Sequence, residues 1–274
     1  MADGYTREWK FRAWNPNEKK MLSPEDLEEP DTAEDAPKTI YGGLIDGVLH
    51  IYDYKTNPPT EYVFQQCTNW YDKEQYEIYE GDIVEVDGKY YQVIWDDITS
   101  GYLFLGDDME TSPGGAYLTD AIKIVGNVFE NGDADPEERR RQIKYRAWDP
   151  TTKTMYKPED IKDPQSDMTV SLYAYLTFGA LYIYDFKNDL PIELIPMQYT
   201  GWHDSEGNEV YEGDVLTVGD EESIAEVSWS DEIGQFILVS LDGTLYPGSD
   251  GLIAQSKIIG DIYNNSDLVL KYDL

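Results

Sequence analysis

The sequence predicts a mainly all-β protein made of two similar small β-barrel or bent-sheet modules in tandem, joined by a short helical linker. Three observations carry this. Among 274 residues, 23 are Tyr and 7 are Trp, side chains that suit half-buried pleated surfaces, while 22 Gly and 14 Pro supply turn points. Short alternating apolar runs recur between those turn residues. The chain also repeats itself in order from end to end.

The repeat is read from anchors. Lys10-Phe11-Arg12-Ala13-Trp14-Asn15-Pro16 returns as Lys144-Tyr145-Arg146-Ala147-Trp148-Asp149-Pro150, a shift of 134 positions, and Met21 and Pro24-Glu25-Asp26 return as Met155 and Pro158-Glu159-Asp160 at the same shift. Ile51-Tyr52-Asp53, Trp70 and Tyr79-Glu80-Gly81-Asp82 match Ile183-Tyr184-Asp185, Trp202 and Tyr211-Glu212-Gly213-Asp214 at a shift of 132. Trp95 and Gly126 match Trp229 and Gly260 at 134 again. Small length changes between fixed anchors are what variable loops on a duplicated fold produce. The reading divides the chain into a first β module over residues 1–131, a linker over 132–142 and a second β module over 143–274.

In chain order, residues 9–14 read as a strand, and Pro-Glu-Asp at Pro24 and Pro158 as a first helical turn. Residues 48–54 and 62–66 read as further strands. Asp82-Ile83-Val84-Glu85-Val86 and Tyr90-Tyr91-Gln92-Val93-Ile94-Trp95 flank Asp87-Gly88-Lys89, a strong hairpin signal. The second copy has the longer turn Gly219-Asp220-Glu221-Glu222-Ser223 there, and so regains two residues. Residues 101–105 and 123–129 complete the first module. In the linker, Asp135 before Pro136, acids in the first turn and Arg139-Arg140-Arg141 at the end read as a short capped helix. The arginines complement the helix C-terminus and the acidic modules.

These anchors carry a resemblance. Met197-Gln198-Tyr199-Thr200-Gly201, Gly207-Asn208-Glu209-Val210-Tyr211-Glu212-Gly213-Asp214 and Gly260-Asp261-Ile262-Tyr263-Asn264-Asn265, with the Lys-Tyr-Arg-Ala-Trp start, resemble the YopX family of phage and prophage proteins. The first copy departs from the family pattern at Gln65-Gln66-Cys67-Thr68-Asn69 and at Lys73-Glu74-Gln75-Tyr76. The resemblance implies a phage-encoded origin and a compact β-rich module, and brings no catalytic residues with it.

Composition limits the function classes. The single Cys67 excludes an internal disulfide and a thiolate zinc site, and reads as a small buried hydrophobe in a strand. The polar N-terminus and the lack of any run near 20 apolar residues point to a soluble protein of the host bacterial cytoplasm with no membrane contact. His50 and His203 do not occupy equivalent repeat positions, and no nucleophile elbow, phosphate loop or dinucleotide fingerprint is present, so the chain is read as no enzyme, with no cofactor and no metal. Asp82 and Asp214 sit where aspartate bonds turn amides, and Asp204-Ser205-Glu206-Gly207-Asn208-Glu209 has the wrong alternation for a calcium loop. The repeated tryptophans read as core anchors, since single-stranded nucleic acid would be repelled by the overall charge.

That charge, −34 from 55 acids against 21 basic residues, is the least ordinary feature. One reading is solubility or adaptation to salt. The other is imitation of nucleic acid. Two modules with radius of gyration near ~14 Å would span roughly 70 Å in line, or one charge per ~2 Å against ~1.7 Å for duplex DNA. The acids concentrate in expected loops: Glu25, Asp26, Glu28, Glu29, Asp31, Glu34 and Asp35; Asp96 and Asp97; Asp107, Asp108 and Glu110; Asp220, Glu221 and Glu222; Asp231 and Glu232. These loops are the expected partner-binding residues. The expected partner is a basic host nucleic-acid-binding protein, a defence nuclease such as a CRISPR effector or restriction enzyme, with no direct nucleic-acid binding. The competing reading is a scaffold that bridges two protein partners.

Overall fold

The structure is a computed structural model that describes residues 7–27, 39–113, 121–132, 134–135, 141–162, 171–187, 190–218, 223–265 and 268. It is nearly all β, with curled half-barrel sheets. Pro24–Leu27 and Pro158–Asp160 are short 3₁₀ turns, at the two places where Pro-Glu-Asp predicts them. Asp250–Ile253 adds one α-helical turn that the strand pattern does not announce. The helix expected over residues 132–142 lies mostly outside the described residues.

The chain forms two compact units, and each takes the equivalent part of both repeats. Unit 1 combines Met1–Cys67 with Gly126–Pro196, and unit 2 combines Thr68–Val125 with Met197–Leu274. The spatial division therefore cuts across the sequence repeats, and reciprocal hydrogen bonds between the copies explain why.

In unit 1, Phe11–Asn15 lies between Lys20–Leu22 and Val63–Tyr71, as Tyr145–Asp149 lies between Thr154–Tyr156 and Ile192–His203. Each copy adds a hairpin: Ile40–Ile45 with Val48–Asp53 in the first, Leu172–Thr177 with Ala180–Asp185 in the second. Both tips are two-residue turns with positive φ at each residue, 48° and 77° at Asp46-Gly47, 49° and 74° at Phe178-Gly179. Such turns match the twist of the strands they join, and glycine takes the second position without steric cost.

Each tip clasps the other copy. Gly179 O accepts from Phe11 N at 2.8 Å and Trp9 O from Leu181 N at 2.8 Å; the counterparts are Tyr145 N to Gly47 O at 2.8 Å and Leu49 N to Ile143 O at 2.9 Å. A single core fills the space beneath, with Phe11, Tyr145, Leu44, Leu49, Ile51, Ile143 and Ile183 all fully enclosed. Burying each such side chain contributes about 1.5–3 kcal/mol relative to leaving it in water.

Unit 2 is organised by one sheet in the order Lys123–Asn127, Asp82–Val86, Lys89–Asp96, Gly101–Gly106, Gln235–Ser240, Ile224–Ser230, Asp214–Thr217, Lys257–Asp261. Asp87-Gly88 makes the expected hairpin, with φ of 51° and 77°. The copies meet at Gly101 opposite Gln235, where Tyr102 N donates to Gly234 O at 2.8 Å and Phe236 N to Ser100 O at 3.1 Å. Trp95 and Trp229 stack 6.2 Å apart at 5° and pack against the cores of both halves. Trp14, Trp148, Trp70 and Trp202 are buried, as core anchors should be. Cys67 is buried within Val63–Tyr71.

Candidate functional site

The acidic loops are the residues to place. Glu28, Glu29, Asp31, Glu34, Asp35, Asp220, Glu221 and Glu222 lie outside the described residues. Of the others, Glu25 and Asp26 belong to unit 1, while Asp96, Asp97, Asp107, Asp108, Glu110, Asp231 and Glu232 belong to unit 2.

Asp26 and Asp96 are committed to local structure. Asp26 caps its 3₁₀ turn, accepting from Ser23 N at 2.9 Å and Ser23 Oγ at 3.1 Å. Its exposed neighbour Glu25 is held below the usual carboxylate range by a backbone amide and the Ser23 hydroxyl. Asp96 closes the turn between Lys89–Asp96 and Gly101–Gly106, accepting from Thr99 N at 2.8 Å and Thr99 Oγ1 at 2.7 Å. Asp97, next in that turn, is exposed.

The equivalent turn of the second copy presents Asp231 and Glu232, both exposed. Asp231 accepts from Trp229 Nε1 at 2.9 Å and Asn69 Nδ2 at 3.0 Å through its carboxylate, and from Trp70 Nε1 at 2.8 Å through its carbonyl. Reciprocally, Trp202 Nε1 donates to Ile98 O at 3.2 Å. A buried tryptophan of each copy thus holds the acidic turn of the other. Because the strands that follow these turns pair antiparallel at Gly101 and Gln235, the two turns lie on opposite sides of that pair, Ser100 beside Phe236 and Gly234 beside Tyr102.

Asp107, Asp108 and Glu110 form a separate exposed turn, closed by Met109 N to Gly106 O and Gly106 N to Glu110 O, both at 3.0 Å. It borders an open cleft of about 410 Å³ whose walls include Lys89, Tyr90 and Tyr91. Sequence reasoning missed Asp242, the equivalent of Asp108 at the 134-residue shift. The Ser240 hydroxyl and the Thr244 amide lower its carboxyl to about 2, so it stays ionised on the surface. The repeat register was the signal that could have found it.

The repeated Asp82 and Asp214 are buried and accept from Tyr79 N at 2.9 Å and Tyr211 N at 2.7 Å, the structural role expected of them. Asp204 likewise serves its own loop. Burial raises its carboxyl, but bonds from Asn208, Ile258 and Glu206 outweigh this and leave it below its ordinary value. Among the described residues, no three of His, Cys, Asp or Glu are grouped to hold a metal ion, and no helix is long and apolar enough to cross a membrane.

Fold and surface together define a duplicated, acidic, all-β protein whose two copies share one core in unit 1 and one sheet in unit 2. The chain belongs to the YopX family: the family described as YopX protein matches residues 10–133 and again residues 144–270, a tandem duplication of the domain. Membership supports a phage-type protein. Among solved structures, the chain is similar to protein EF1440 from Enterococcus faecalis, with 25% identity over 47% of this chain and 98% of that one, at a TM-score of 0.31. No curated protein matches the chain.

Proposed function

We propose that the protein is a phage-encoded acidic decoy that acts without catalysis in the host cytoplasm. It occupies the nucleic-acid-binding surface of a basic host protein, a defence nuclease, and excludes the nucleic acid. The observation that carries this reading is the pair of equivalent turns in unit 2, where exposed Asp97, Asp231 and Glu232 stand on backbone clamped by buried indoles. Charges on fixed backbone lose less freedom on binding than charges on loose loops, so more of their attraction is expressed as affinity. The net charge of −34 supplies long-range attraction toward a basic surface. Such steering acts mainly on the association rate and fades as salt shortens the screening length, about 8 Å at physiological ionic strength.

The test is capture from host lysate with elution in rising salt, followed by competition with DNA. The decoy reading expects a basic nucleic-acid enzyme that DNA displaces, and slower association for the variant Asp97→Asn/Asp231→Asn/Glu232→Gln. Binding that survives neutralisation of every acidic loop in turn, Asp220, Glu221 and Glu222 included, refutes it. Salt-insensitive recovery of partners unrelated to nucleic acid points to a scaffold instead.

A further inference from the structure

An antiparallel sheet with one face on the core ordinarily turns polar residues to solvent on the other. The hairpins of unit 1 break this rule. In the second hairpin, Leu172, Ala174, Leu176, Leu181 and Ile183 enter the core. The alternate positions Tyr173, Tyr175, Tyr182 and Tyr184, continued by Phe186, are only partly covered. Their rings form a ladder: Tyr175 and Tyr184 stack 5.4 Å apart at 11°, and Tyr184 has Tyr182 at 6.2 Å on one side and Phe186 at 5.9 Å on the other. Exposed Glu193 stands opposite Tyr184 in the register.

The first hairpin has the same plan. Tyr41 pairs with Tyr52 across the strands, Tyr54 lies 6.1 Å beyond Tyr52, and Glu61 stands opposite Tyr52 just as Glu193 stands opposite Tyr184. His50 takes the place of Tyr182 and stacks on Tyr52 at 5.6 Å, and Gly43 takes the place of Tyr175. Both copies therefore keep an outward aromatic row with a carboxylate at its edge.

We infer that these two faces are a docking surface for arginine side chains of a basic partner segment. The face of an aromatic ring carries negative quadrupole density that attracts a cation. A guanidinium is flat, stacks on such rings, and offers a fork of donors that a neighbouring carboxylate accepts. The charge of −34 disfavours the phosphates that stacked nucleobases would bring and favours a cationic segment. The second hairpin is the stronger site. It offers five rings, and in the first hairpin the Glu61 carboxylate is engaged by His50 Nδ1 at 2.8 Å. The inference rests on the reading that the partner is basic and names the face that meets it.

The test is a titration of the full chain with a nona-arginine peptide and, separately, a nona-lysine peptide, in about 0.3 M salt to suppress long-range attraction. Aromatic-ring NMR signals report the contact. The arginine peptide is expected to shift the rings of Tyr175, Tyr182 and Tyr184 and to bind several-fold more tightly than the lysine peptide. Tyr175→Thr/Tyr184→Thr, which keeps strand-forming residues on an outward face, is expected to weaken the arginine peptide roughly tenfold, at two- to fivefold per ring. Equal binding of the two peptides, or shifts confined to the acidic turns of unit 2, overturns the inference. The native-chain shifts decide the matter even where the variant folds poorly. If the ladder is silent while DNA still displaces a captured host enzyme, the docking surface fails and the decoy reading stands; if the ladder responds but no basic partner is recovered, the reverse holds.

Discussion

Replacing Gly179 by alanine is expected to destabilise unit 1 by about 2–3 kcal/mol, and the sum separates into terms that a control can isolate. Gly179 sits at φ +74°, a left-handed conformation that costs a residue with a Cβ about 1–2 kcal/mol. The added Cβ would also fall 2.7 Å from Pro24 Cβ and closer still to the Phe11 carbonyl oxygen. The hairpin tip and the first strand must then separate, which weakens the 2.8 Å bond from Phe11 N to Gly179 O, worth about 1 kcal/mol. Gly88 has almost the same conformation, φ +77°, with nothing within 4 Å of its Cβ direction. Gly88→Ala therefore carries only the backbone cost, and the difference between the two variants, about 1 kcal/mol, measures the clasp. Urea unfolding followed by circular dichroism gives the stabilities, and amide exchange at Phe11 and Leu181 reports the tip directly. Equal destabilisation by the two substitutions, or unchanged exchange at those amides, refutes the account of how the copies are held together. Gly47→Ala is the symmetric test, since its Cβ would lie 2.6 Å from Tyr145 O.

Asp82→Ala and Asp214→Ala are each expected to cost about 1–3 kcal/mol in urea unfolding by leaving a buried amide, Tyr79 N or Tyr211 N, without its acceptor, while Asn at either position recovers most of the loss. Trp70→Phe and Trp202→Phe remove the Nε1 donor together with part of a buried ring, and are expected to cost about 2–3 kcal/mol each and to speed amide exchange in the turn that each indole holds. Two carboxylates give opposite pH signatures. Burial raises Glu226 above its ordinary pKa, so its charge opposes folding at neutral pH; Glu226→Gln is expected to stabilise the chain at pH 7 and to lose that advantage in acid, below pH ~4, where both states are protonated. Asp204 is depressed, so it supports folding above its unfolded pKa and that support is lost as pH falls through the folded value; Asp204→Asn is expected to cost stability at pH 7 and little in strong acid.

Much of this fold was legible because its signals are local. Asp87-Gly88 between alternating runs specifies a turn that only a few residue pairs enter without strain, and Pro-Glu-Asp opens a short helical turn in both copies. Repeat anchors such as Trp70 and Trp202 were recognised as core for a sound reason, since both indoles are buried. What the sequence did not disclose is which copy each element packs against. The clasp at Gly47 and Gly179 and the stack of Trp95 on Trp229 join residues of different copies, far apart in the chain, and an identical anchor in each copy satisfies either partner equally well on paper. The outward aromatic row was missed for a related reason: Tyr173 and Tyr175 alternate with Leu172, Ala174 and Leu176, a pattern in which both faces read as apolar. For the acids, loop position was the right guide to exposure at Asp97 and Glu232, but Asp26 and Asp96 spend their carboxylates on neighbouring amides, which no charge count distinguishes.

Because each unit draws on both copies, the chain is in effect a dimer whose subunits have been translated as one polypeptide. In a dimer of identical chains every substitution falls on both sides of the axis at once, so a change that suits one side must be tolerated by the other. Joining the copies removes that constraint while the shared core of unit 1 and the continuous sheet of unit 2 keep them together. The pairs His50/Tyr182, Gly43/Tyr175 and Tyr102/Phe236 record the freedom that results. One side can be shaped toward a partner that lacks two-fold symmetry while its twin preserves the fold.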